Sequence, residues 1–442
     1  MSSRKRSIAE VLDNTEQEGP RHTRARRSTS PTHNDTRPGS PIALSYTPTT
    51  QAASRAVPFQ QPAPLLTFSY DDSHTLEFTN AAMRYYVEPP PRAELSYGYE
   101  RWVRRPDERG RLDSLLRAYT KVRAQGVVGA AGAEIGVVSW RGVMTRILTA
   151  PYENRDGWEM NVMLCDGTLY FEEHLTEARL QEKNNMPSHQ RTQTYYGYSF
   201  ESWCAASEPR AVPGWHGDVN TNVQWCSLVK TKLGATRLVI GGEVDCVRDR
   251  YDGRNDTMVE LKTSMNIRGP QDEQRFEKKL LKFYFQSFLL GVPEIIVGFR
   301  TPKGQLTTLQ SFKTMQIPRM IRGKPDSWDP QICLLWGDEF VTWLRQTLAS
   351  WAGSGGPERV WRVKFAPGVG VEIVMLNDAE TKDVGGGEER VGFLPSWYWK
   401  EIYQRGEDDV KSDPGSASAG TSDKLSSANT RLPASLPTGW QI

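Results

Sequence analysis

The stretch GGEVDCVRDRYDGRNDTMVELKTS, residues 241–264, places charged residues inside two segments that otherwise have the composition of buried strands. Residues two positions apart in a strand project from the same face. Glu243 therefore projects with Asp245, and Glu260 projects with Lys262. If the two strands pair through the loop at 248–257, all four side chains converge. The pattern predicts a cluster of three carboxylates and one ammonium group.

Such a cluster favours a metal site. Carboxylates held within a few ångströms repel one another and raise each other's pKa, and a divalent cation removes that penalty. Clustered oxygen ligands suit Mg²⁺ or Mn²⁺. Lys262 is a point charge that can hold a phosphate oxygen or the attacking water. An acid-x-acid pair followed by Glu-x-Lys is the layout of metal-dependent phosphodiesterases of the PD-(D/E)xK type.

A surface hairpin with a charged outer face is the alternative, because alternation alone permits it. The apolar flanks of both segments argue for burial and hence for the metal site. The next segment predicts a helix over about 272–290 that ends at Gly291. On one face it carries Arg275, Lys279, Lys282 and Gln286, which suits RNA phosphates entering a cleft. A solvated helix face is the other interpretation of Arg275 and Lys279.

The rest of the chain alternates predicted strands and helices with short connections. The predicted strands are at 65–70, 76–80, 238–247, 258–264, 294–300, 361–366 and 371–377, the predicted helices are at 109–124 and 140–153, and a hairpin over 161–173 turns at Asp166–Gly167. We expect an α/β fold with mixed β-sheets flanked by helices, in a single large domain over residues 65–405. Residues 1–64, which are basic, and 406–442 are poor in apolar groups and predict disordered tails.

Composition excludes several classes of protein. The chain of 442 residues has a formal net charge of +2, so it lacks the overall basic charge of a protein that wraps duplex DNA. Its five cysteines form no CxxC pair, and its six histidines show no HxxxH spacing, which disfavours a disulfide scaffold and a zinc site. No apolar run approaches the roughly 20 residues that span a bilayer. We expect a soluble intracellular protein without a membrane partner.

Several motifs, in the same order, resemble those of the DXO family of RNA 5′-end decapping nucleases. They are WRGVMTRILTAPYE (140–153), YYGYSFESW (195–203), GGEVDCV (241–247), VELKTS (259–264) and LLKFYFQSFLLGVP (280–293), and MRYYVEPP (83–90), GYERWVRR (98–105) and VGFLPSWYW (391–399) also resemble family stretches. The resemblance covers about residues 66–404 and implies a PD-(D/E)xK nuclease-like core. The long polar tails are similar to those of the fungal nuclear branch, whose members bind and activate the nuclear 5′→3′ exoribonuclease.

The resemblance also implies roles for individual residues. The positions that match the family's metal ligands are Glu201, Glu243, Asp245, Glu260 and the backbone carbonyl of Leu261, and those that match its substrate-binding residues are Arg141, Lys262 and Gln286. The four carboxylates and Lys262 are then the catalytic set, with two ions of Mg²⁺ or Mn²⁺. Tyr195, Tyr196 and Trp203 flank Glu201 and are interpreted as core aromatic residues, with stacking on a nucleobase as the alternative.

The activity that the resemblance implies is metal-dependent hydrolysis at RNA 5′ ends. It comprises removal of incomplete or unmethylated caps, release of pyrophosphate from 5′-triphosphate RNA, and removal of NAD caps, in nuclear RNA 5′-end quality control. We expect a nuclear protein that forms a heterodimer with the exoribonuclease. The basic clusters at 3–6 and 21–27 are interpreted as nuclear-import signals, with phosphate contacts or an ordinary charged tail as the alternatives. The alternative is a mainly non-catalytic stabiliser and activator of that exoribonuclease, with residues 334–350 as a candidate surface or else a core helix. A DNA endonuclease is a third, less favoured interpretation.

Overall fold

The computed structural model describes residues 42–45, 53–126, 134–351 and 358–411. Its strands are β1 (Ile42–Ser45), β2 (Phe59–Tyr70), β3 (Leu76–Glu77), β4 (Tyr85–Tyr86), β5 (Val137–Trp140), β6 (Trp158–Cys165), β7 (Thr168–Glu173), β8 (Ala205–Ala206), β9 (Gln224–Leu233), β10 (Thr236–Glu243), β11 (Cys246–Val247), β12 (Met258–Met265), β13 (Glu294–Arg300), β14 (Leu306–Lys313), β15 (Trp361–Ala366), β16 (Gly370–Met375), β17 (Arg390–Val391) and β18 (Leu394–Pro395). Its helices are α1 (Asp113–Ala124), α2 (Arg141–Thr149), α3 (Glu177–Asn184), α4 (Ser188–Cys204), α5 (Pro270–Leu290), α6 (Ile317–Ile321), α7 (Pro330–Ser350), α8 (Asp378–Gly385) and α9 (Ser396–Lys411).

Two mixed sheets organise these elements. The larger sheet has ten strands in the order β1-β16-β15-β6-β7-β5-β10-β9-β2-β3, and the smaller has six in the order β14-β13-β12-β11-β4-β8. Strand β5 pairs parallel with β7 and β10, and β12 pairs parallel with β13, whereas most other neighbours are antiparallel. The fold is therefore α/β with mixed sheets and flanking helices, as the sequence predicts.

Helix α5 connects the parallel strands β12 and β13, so these elements form a β-α-β unit. The helix ends where predicted, because Gly291 follows it with φ of 73°, a left-handed conformation that favours glycine at a helix C-terminus. Strand β13 is buried along its whole length. This unit holds the Glu260 segment rigidly inside the protein.

Helix α7, at residues 330–350, belongs to the hydrophobic core. Trp336, Phe340 and Leu344 on this helix are almost fully buried. The interpretation of residues 334–350 as a core helix is therefore confirmed, and the alternative of a partner surface is wrong, since their apolar side chains pack inward. None of the helices in the described ranges is both long and apolar enough to cross a bilayer.

The predicted continuous strand at 238–247 is also wrong. Strand β10 ends at Glu243 in the ten-stranded sheet, and β11 begins at Cys246 in the six-stranded sheet. Residues Val244 and Asp245 carry the chain from one sheet to the other. Strand β11, not β10, pairs with β12, with Cys246 opposite Val259. The acidic residues thus meet where the chain passes between the two sheets.

Described strands and a helix lie partly outside the predicted limits of residues 65–405, at both ends. Strand β2 begins at Phe59, six residues before the predicted start, and β1 pairs with β16. The prolines of FQQPAPLL hide this strand in the sequence, and the β2–β9 register shifts between Gln60 and Ala63 and between Pro64 and Leu66 accommodate them. Helix α9 continues to Lys411. The remaining residues of the two predicted tails lie outside the described residues.

Candidate active site

Three elements bring the predicted site residues together. Glu260 and Lys262 lie on β12, Glu243 ends β10, and Asp245 follows two residues later. Glu201 lies in the last turn of α4, which packs against β12. Glu201, Glu243 and Asp245 all line one cleft of about 530 Å³. The four predicted carboxylates therefore share one site, although they come from two sheets and a helix.

Glu260 is the centre of a buried charge network. Its side chain is 0% exposed, and its two oxygens bind different cations. Arg141 Nη1 lies 2.9 Å from Oε2, and Lys262 Nζ lies 2.6 Å from Oε1. Burial alone would raise the pKa of Glu260, but Arg141 and Lys262 outweigh it and lower that pKa. Burial likewise disfavours the ammonium form of Lys262, yet Glu260 and Asp245 raise its pKa. Glu260 is therefore ionised and held in place.

Asp245 contacts the edge of β12. Its Oδ2 accepts a hydrogen bond of 2.6 Å from the backbone N–H of Leu261 and lies 4.0 Å from Lys262 Nζ. The C=O of a residue in an extended strand points to the same edge as its N–H. The carbonyl of Leu261 therefore faces the side where Asp245 lies, as a main-chain ligand would have to.

The other carboxylates carry the uncompensated charge of the site. Burial and the repulsion from Asp245 raise the pKa of Glu243 to about 7, and burial and the repulsion from Glu260 raise that of Asp245 to about 6. Burial, followed by repulsion from Asp245 and Glu243, raises the pKa of Glu201 well above its ordinary value. With all four carboxylates ionised, the site would hold more negative charge than its two cations, Arg141 and Lys262, neutralise.

This donor set fits a divalent cation in its chemistry. Carboxylate and carbonyl oxygens are the ligands that Mg²⁺, Mn²⁺ and Ca²⁺ prefer, and a dication would offset the repulsion described above. Across the part of the chain that the structure describes, however, no group of three or more His, Cys, Asp or Glu side chains is arranged to hold a metal. The carboxylate oxygens contact Arg141, Lys262 and the Leu261 amide instead. Metal binding would require some of these contacts to rearrange.

Arg141 reaches Glu260 because of the register of the central strands. Trp140, at the end of β5, lies opposite Gly241 of β10, and α2 begins at the next residue. A Cβ atom on Gly242 would lie 2.8 Å from Arg141 Cβ and 3.0 Å from Leu290 Cδ1. The absence of a side chain at Gly242 thus permits α2 and α5 to lie close to the end of β10. Gln286 is half-buried one turn before Leu290 on α5, and no described residue forms a hydrogen bond with its amide.

Sequence reasoning missed several residues of the cleft. Gln224, on β9, donates a 3.0 Å hydrogen bond from Nε2 to Glu243 Oε2 and fixes that carboxylate. Arg84, Arg105, Tyr198 and His216 line the same cleft. The two arginines lie in the stretches 83–90 and 98–105, which resemble family stretches. No role was predicted for either arginine. No local sequence pattern indicates Gln224, because its contact with Glu243 depends on the pairing of β9 with β10.

The aromatic residues around Glu201 divide into two groups. Tyr195 and Tyr196 are buried, and their hydroxyl groups donate to the carbonyls of Tyr97 and Lys303. Their interpretation as core residues is confirmed. Trp203 is half-buried and stacks edge-on with Trp215, with 5.2 Å between ring centroids.

Comparison with known proteins gives consistent results. Residues 60–399 match the family described as RAI1 like PD-(D/E)XK nuclease. The Decapping nuclease RAI1 of Mycosarcoma maydis is 38% identical, over 78% of this chain and 88% of that protein. The crystal structure of S. pombe Rai1 in complex with 3′-FADP has a TM-score of 0.63 at 26% identity, over 76% of this chain and 100% of that one. The structure of Candida albicans Rai1 in complex with pU5-Mn²⁺ has a TM-score of 0.70 at 24% identity, over 82% and 99% of the two chains, which concerns the fold alone.

Proposed function

Since the chain belongs to the RAI1 like PD-(D/E)XK nuclease family and is accordingly an RNA decapping nuclease, we propose that its carboxylate site hydrolyses three kinds of RNA 5′ end with a divalent metal. These are incomplete or unmethylated caps, 5′-triphosphates and NAD caps. In each case the reaction is hydrolysis at a phosphorus atom near the 5′ end, so one site serves all three. The observation that carries the proposal is the convergence of Glu201, Glu243, Asp245 and Glu260 beside Lys262 and Arg141.

The metal is proposed to bind the four carboxylates and the carbonyl of Leu261, as one or two ions of Mg²⁺ or Mn²⁺. The carboxylate and carbonyl oxygens of the site, which are the ligands that these ions prefer, support this choice. When bound, such an ion activates water and offsets the charge that develops on the leaving oxygen.

The cations of the site act on the substrate. Lys262 is fixed by Glu260 and Asp245, so its ammonium is pre-organised to hold an oxygen of the scissile phosphate without further ordering. Arg141 presents a planar guanidinium that suits bidentate contact with a phosphate of the 5′ region. Gln286 of α5 is proposed to bind the RNA close to the phosphate that Arg141 contacts. Gln224 keeps Glu243 directed into the cleft.

The experiment that tests this function is an assay on 5′-end-labelled RNA with Mg²⁺ and with Mn²⁺. The substrates carry a triphosphate, a monophosphate, an unmethylated cap or an NAD cap. Wild type is compared with Glu260→Gln and Asp245→Asn, which keep the shape of each side chain but remove its charge. Loss of one such group costs a factor of roughly 10² or more in rate when it acts on the reacting atoms.

The matched control is Glu372→Gln, which neutralises an exposed carboxylate on β16 outside the cleft. Product from wild type and from this control, but not from the two site variants, supports the proposal and ranks the substrates. Equal rates for wild type and both site variants, with all proteins folded, would exclude this carboxylate site as the catalytic centre.

A second function is proposed beside the first, namely that the protein acts in the nucleus and binds and activates the nuclear 5′→3′ exoribonuclease. Exposed apolar side chains outside the carboxylate cluster favour it. Tyr97 is 50% exposed and Val212 is 81% exposed. Trp215 packs edge-on against Tyr97 at 5.1 Å between ring centroids. Exposed aromatic and aliphatic groups of this kind are typical of protein–protein contacts.

Co-purification with the exoribonuclease, followed by an assay of its stimulation, tests this second function. Val212→Asp should weaken both, while the decapping rate stays unchanged. Val369→Asp, which changes another exposed valine at 63% exposure, is the control. If the Val212 variant binds and stimulates as wild type does, this surface is not the partner site.

A further inference from the structure

A cavity of about 840 Å³ lies apart from the carboxylate cluster. Its walls come from the end of α2, the middle of α5 and the segment at 318–330, and it includes Thr149, Leu281 and Trp328. None of the eight predicted site residues lines it. The volume is within the range of pockets that bind small ligands or parts of larger ones.

Helices α2 and α5 extend from the carboxylate cluster to this cavity. At one end, Arg141 of α2 and Leu290 of α5 both lie beside Gly242. At the other end, Thr149 of α2 and Leu281 of α5 both line the cavity. The two helices therefore run antiparallel, and the eight helical steps from Arg141 to Thr149 span about 12 Å. A chain bound at Arg141 needs to extend by about this distance to reach the cavity.

The cavity carries an excess of positive charge. Its acidic residues already have partners, because Glu153 binds Lys282 Nζ at 3.0 Å and Asp326 binds Lys278 Nζ at 3.5 Å. Asp329 is also engaged, since its side chain accepts from the N–H of Gln331 and so caps α7. The three acidic side chains of the cavity wall therefore already bind other groups of the protein.

Two cations of the wall have no acidic partner among the described residues, and they are Lys279 and Arg322. Burial and the positive charge of Arg300 lower the pKa of Lys279. An anion bound beside it would relieve that repulsion. Part of the cavity lining is apolar and fixed, because Leu281 and Trp328 are buried and Trp328 Nε1 donates to the carbonyl of Glu277. A groove with excess positive charge that follows the phosphate backbone is one part of sites for single-stranded nucleic acid.

We propose that this cavity is a second RNA site, in which Lys279 and Arg322 bind phosphate groups of the RNA chain on the 3′ side of the cleaved end. The proposal rests on the proposed function, because it extends the path of the same substrate. A stacked strand advances about 3.4 Å per nucleotide, so 12 Å corresponds to roughly four nucleotides. Lys279 and Lys282 of the cavity share one face of α5 with Gln286, and this continuity favours RNA over an acidic segment of a protein.

The test compares the full chain with a Lys279→Ala/Arg322→Ala double variant on two 5′-triphosphate RNAs. One RNA has two nucleotides and cannot reach the cavity, whereas the other has ten. We expect the KM of the longer RNA to rise about tenfold or more, with kcat unchanged and with the shorter RNA unaffected. The salt dependence of binding, as log K against log [salt], should lose about 1.4 of its slope, because two phosphate contacts are removed.

Binding of a ten-nucleotide RNA with a 5′-hydroxyl end, measured by fluorescence anisotropy, separates this proposal from the proposed function. That RNA reports on the cavity even if the carboxylate site hydrolyses nothing. Lys230→Ala, an exposed lysine on β9 away from the cavity, is the control for charge, and Lys279→Arg with native Arg322 should retain wild-type binding. Unchanged affinity in the double variant, or an equal loss for both RNA lengths, overturns the proposal.

Discussion

Arg141 and Glu260 form a buried ion pair with 2.9 Å between Nη1 and Oε2, and this pair joins the proposed RNA-binding residues to the proposed metal ligands. The guanidinium is 13% exposed and the carboxylate 0% exposed. The second oxygen of Glu260 binds Lys262. A change at either cation therefore alters the charge balance of the carboxylates as well as contact with the substrate.

Arg141→Ala should destabilise the protein by about 3 kcal/mol, since removing one partner leaves a buried charge with fewer contacts. Lys262 still compensates Glu260 in part, so we expect the lower end of the usual range. Urea denaturation monitored by fluorescence measures the effect. Arg146→Ala serves as the control on the same helix, because Arg146 pairs with Glu173 at the surface and should cost less than about 1 kcal/mol. Similar losses in the two variants would contradict this account of the pair.

Divalent metal should stabilise the folded protein, and the carboxylates should be required for that effect. A ligand that binds only the native state at 100 times its Kd adds about 2.7 kcal/mol, which raises Tm by several degrees. Thermal unfolding with EDTA and with Mn²⁺ measures this increase without any RNA. Asp245→Asn should abolish it, whereas Asp156→Asn, which changes an exposed carboxylate, should retain it. An increase of equal size in Asp245→Asn would place the metal elsewhere.

The stability of the protein should depend on pH through Glu172. Burial raises the pKa of this carboxyl to about 7, even though Arg111 lies 3.0 Å away. The folded state therefore binds more protons than the unfolded state between the ordinary pKa of Glu and pH 7. Its contribution to stability falls as the pH rises through that interval, by at most about 3 kcal/mol.

Glu172→Gln removes this titration. The free energy of unfolding of the variant minus that of wild type should increase between pH 5 and pH 8, as measured by urea denaturation at each pH. Glu159→Gln, on the neighbouring strand β6, is the comparison. If the difference between Glu172→Gln and wild type stays constant over this range, the carboxyl of Glu172 does not titrate there.

Local sequence patterns predicted those features that depend on neighbours along the chain. The hairpin turn at Asp166–Gly167 was predicted, and both residues have positive φ, 47° and 73°. The end of α5 at Gly291 was predicted for the same kind of reason. The proximity of Glu243 and Asp245 was also expected, although they lie where the chain passes between the two sheets and not in one continuous strand.

Long-range pairing explains what could not be predicted. The alternation of apolar and charged residues around Asp245 is the same whether the chain continues in one sheet or enters another. The passage from β10 to β11 therefore could not be predicted from the sequence pattern. The contact of Gln224 with Glu243 arises from the pairing of β9 with β10, where Cys226 lies opposite Glu243. Such contacts need the register of the sheet, which local composition does not specify.

Gly242→Ala should reduce both stability and activity, because α2 and α5 leave no room for a side chain at this position. The new Cβ would lie 2.8 Å from Arg141 Cβ, an atom fixed by the helix backbone, and 3.0 Å from Leu290 Cδ1. Overpacking of this kind costs about 1–3 kcal/mol. Since the strain falls on Arg141, its contact with Glu260 should weaken and the KM for 5′-triphosphate RNA should rise.

Gly142→Ala, one residue beyond Arg141, provides the matched control. No atom lies within 4 Å of the added Cβ, and alanine is favoured over glycine in a helix by roughly 0.5–1 kcal/mol. This variant should therefore be as stable as wild type or slightly more so, with unchanged KM. Denaturation curves and steady-state kinetics for the two variants separate the effect of steric pressure on Arg141 from the effect of glycine replacement itself. A Gly242→Ala protein with wild-type stability and KM would show that α2 and α5 can separate without cost.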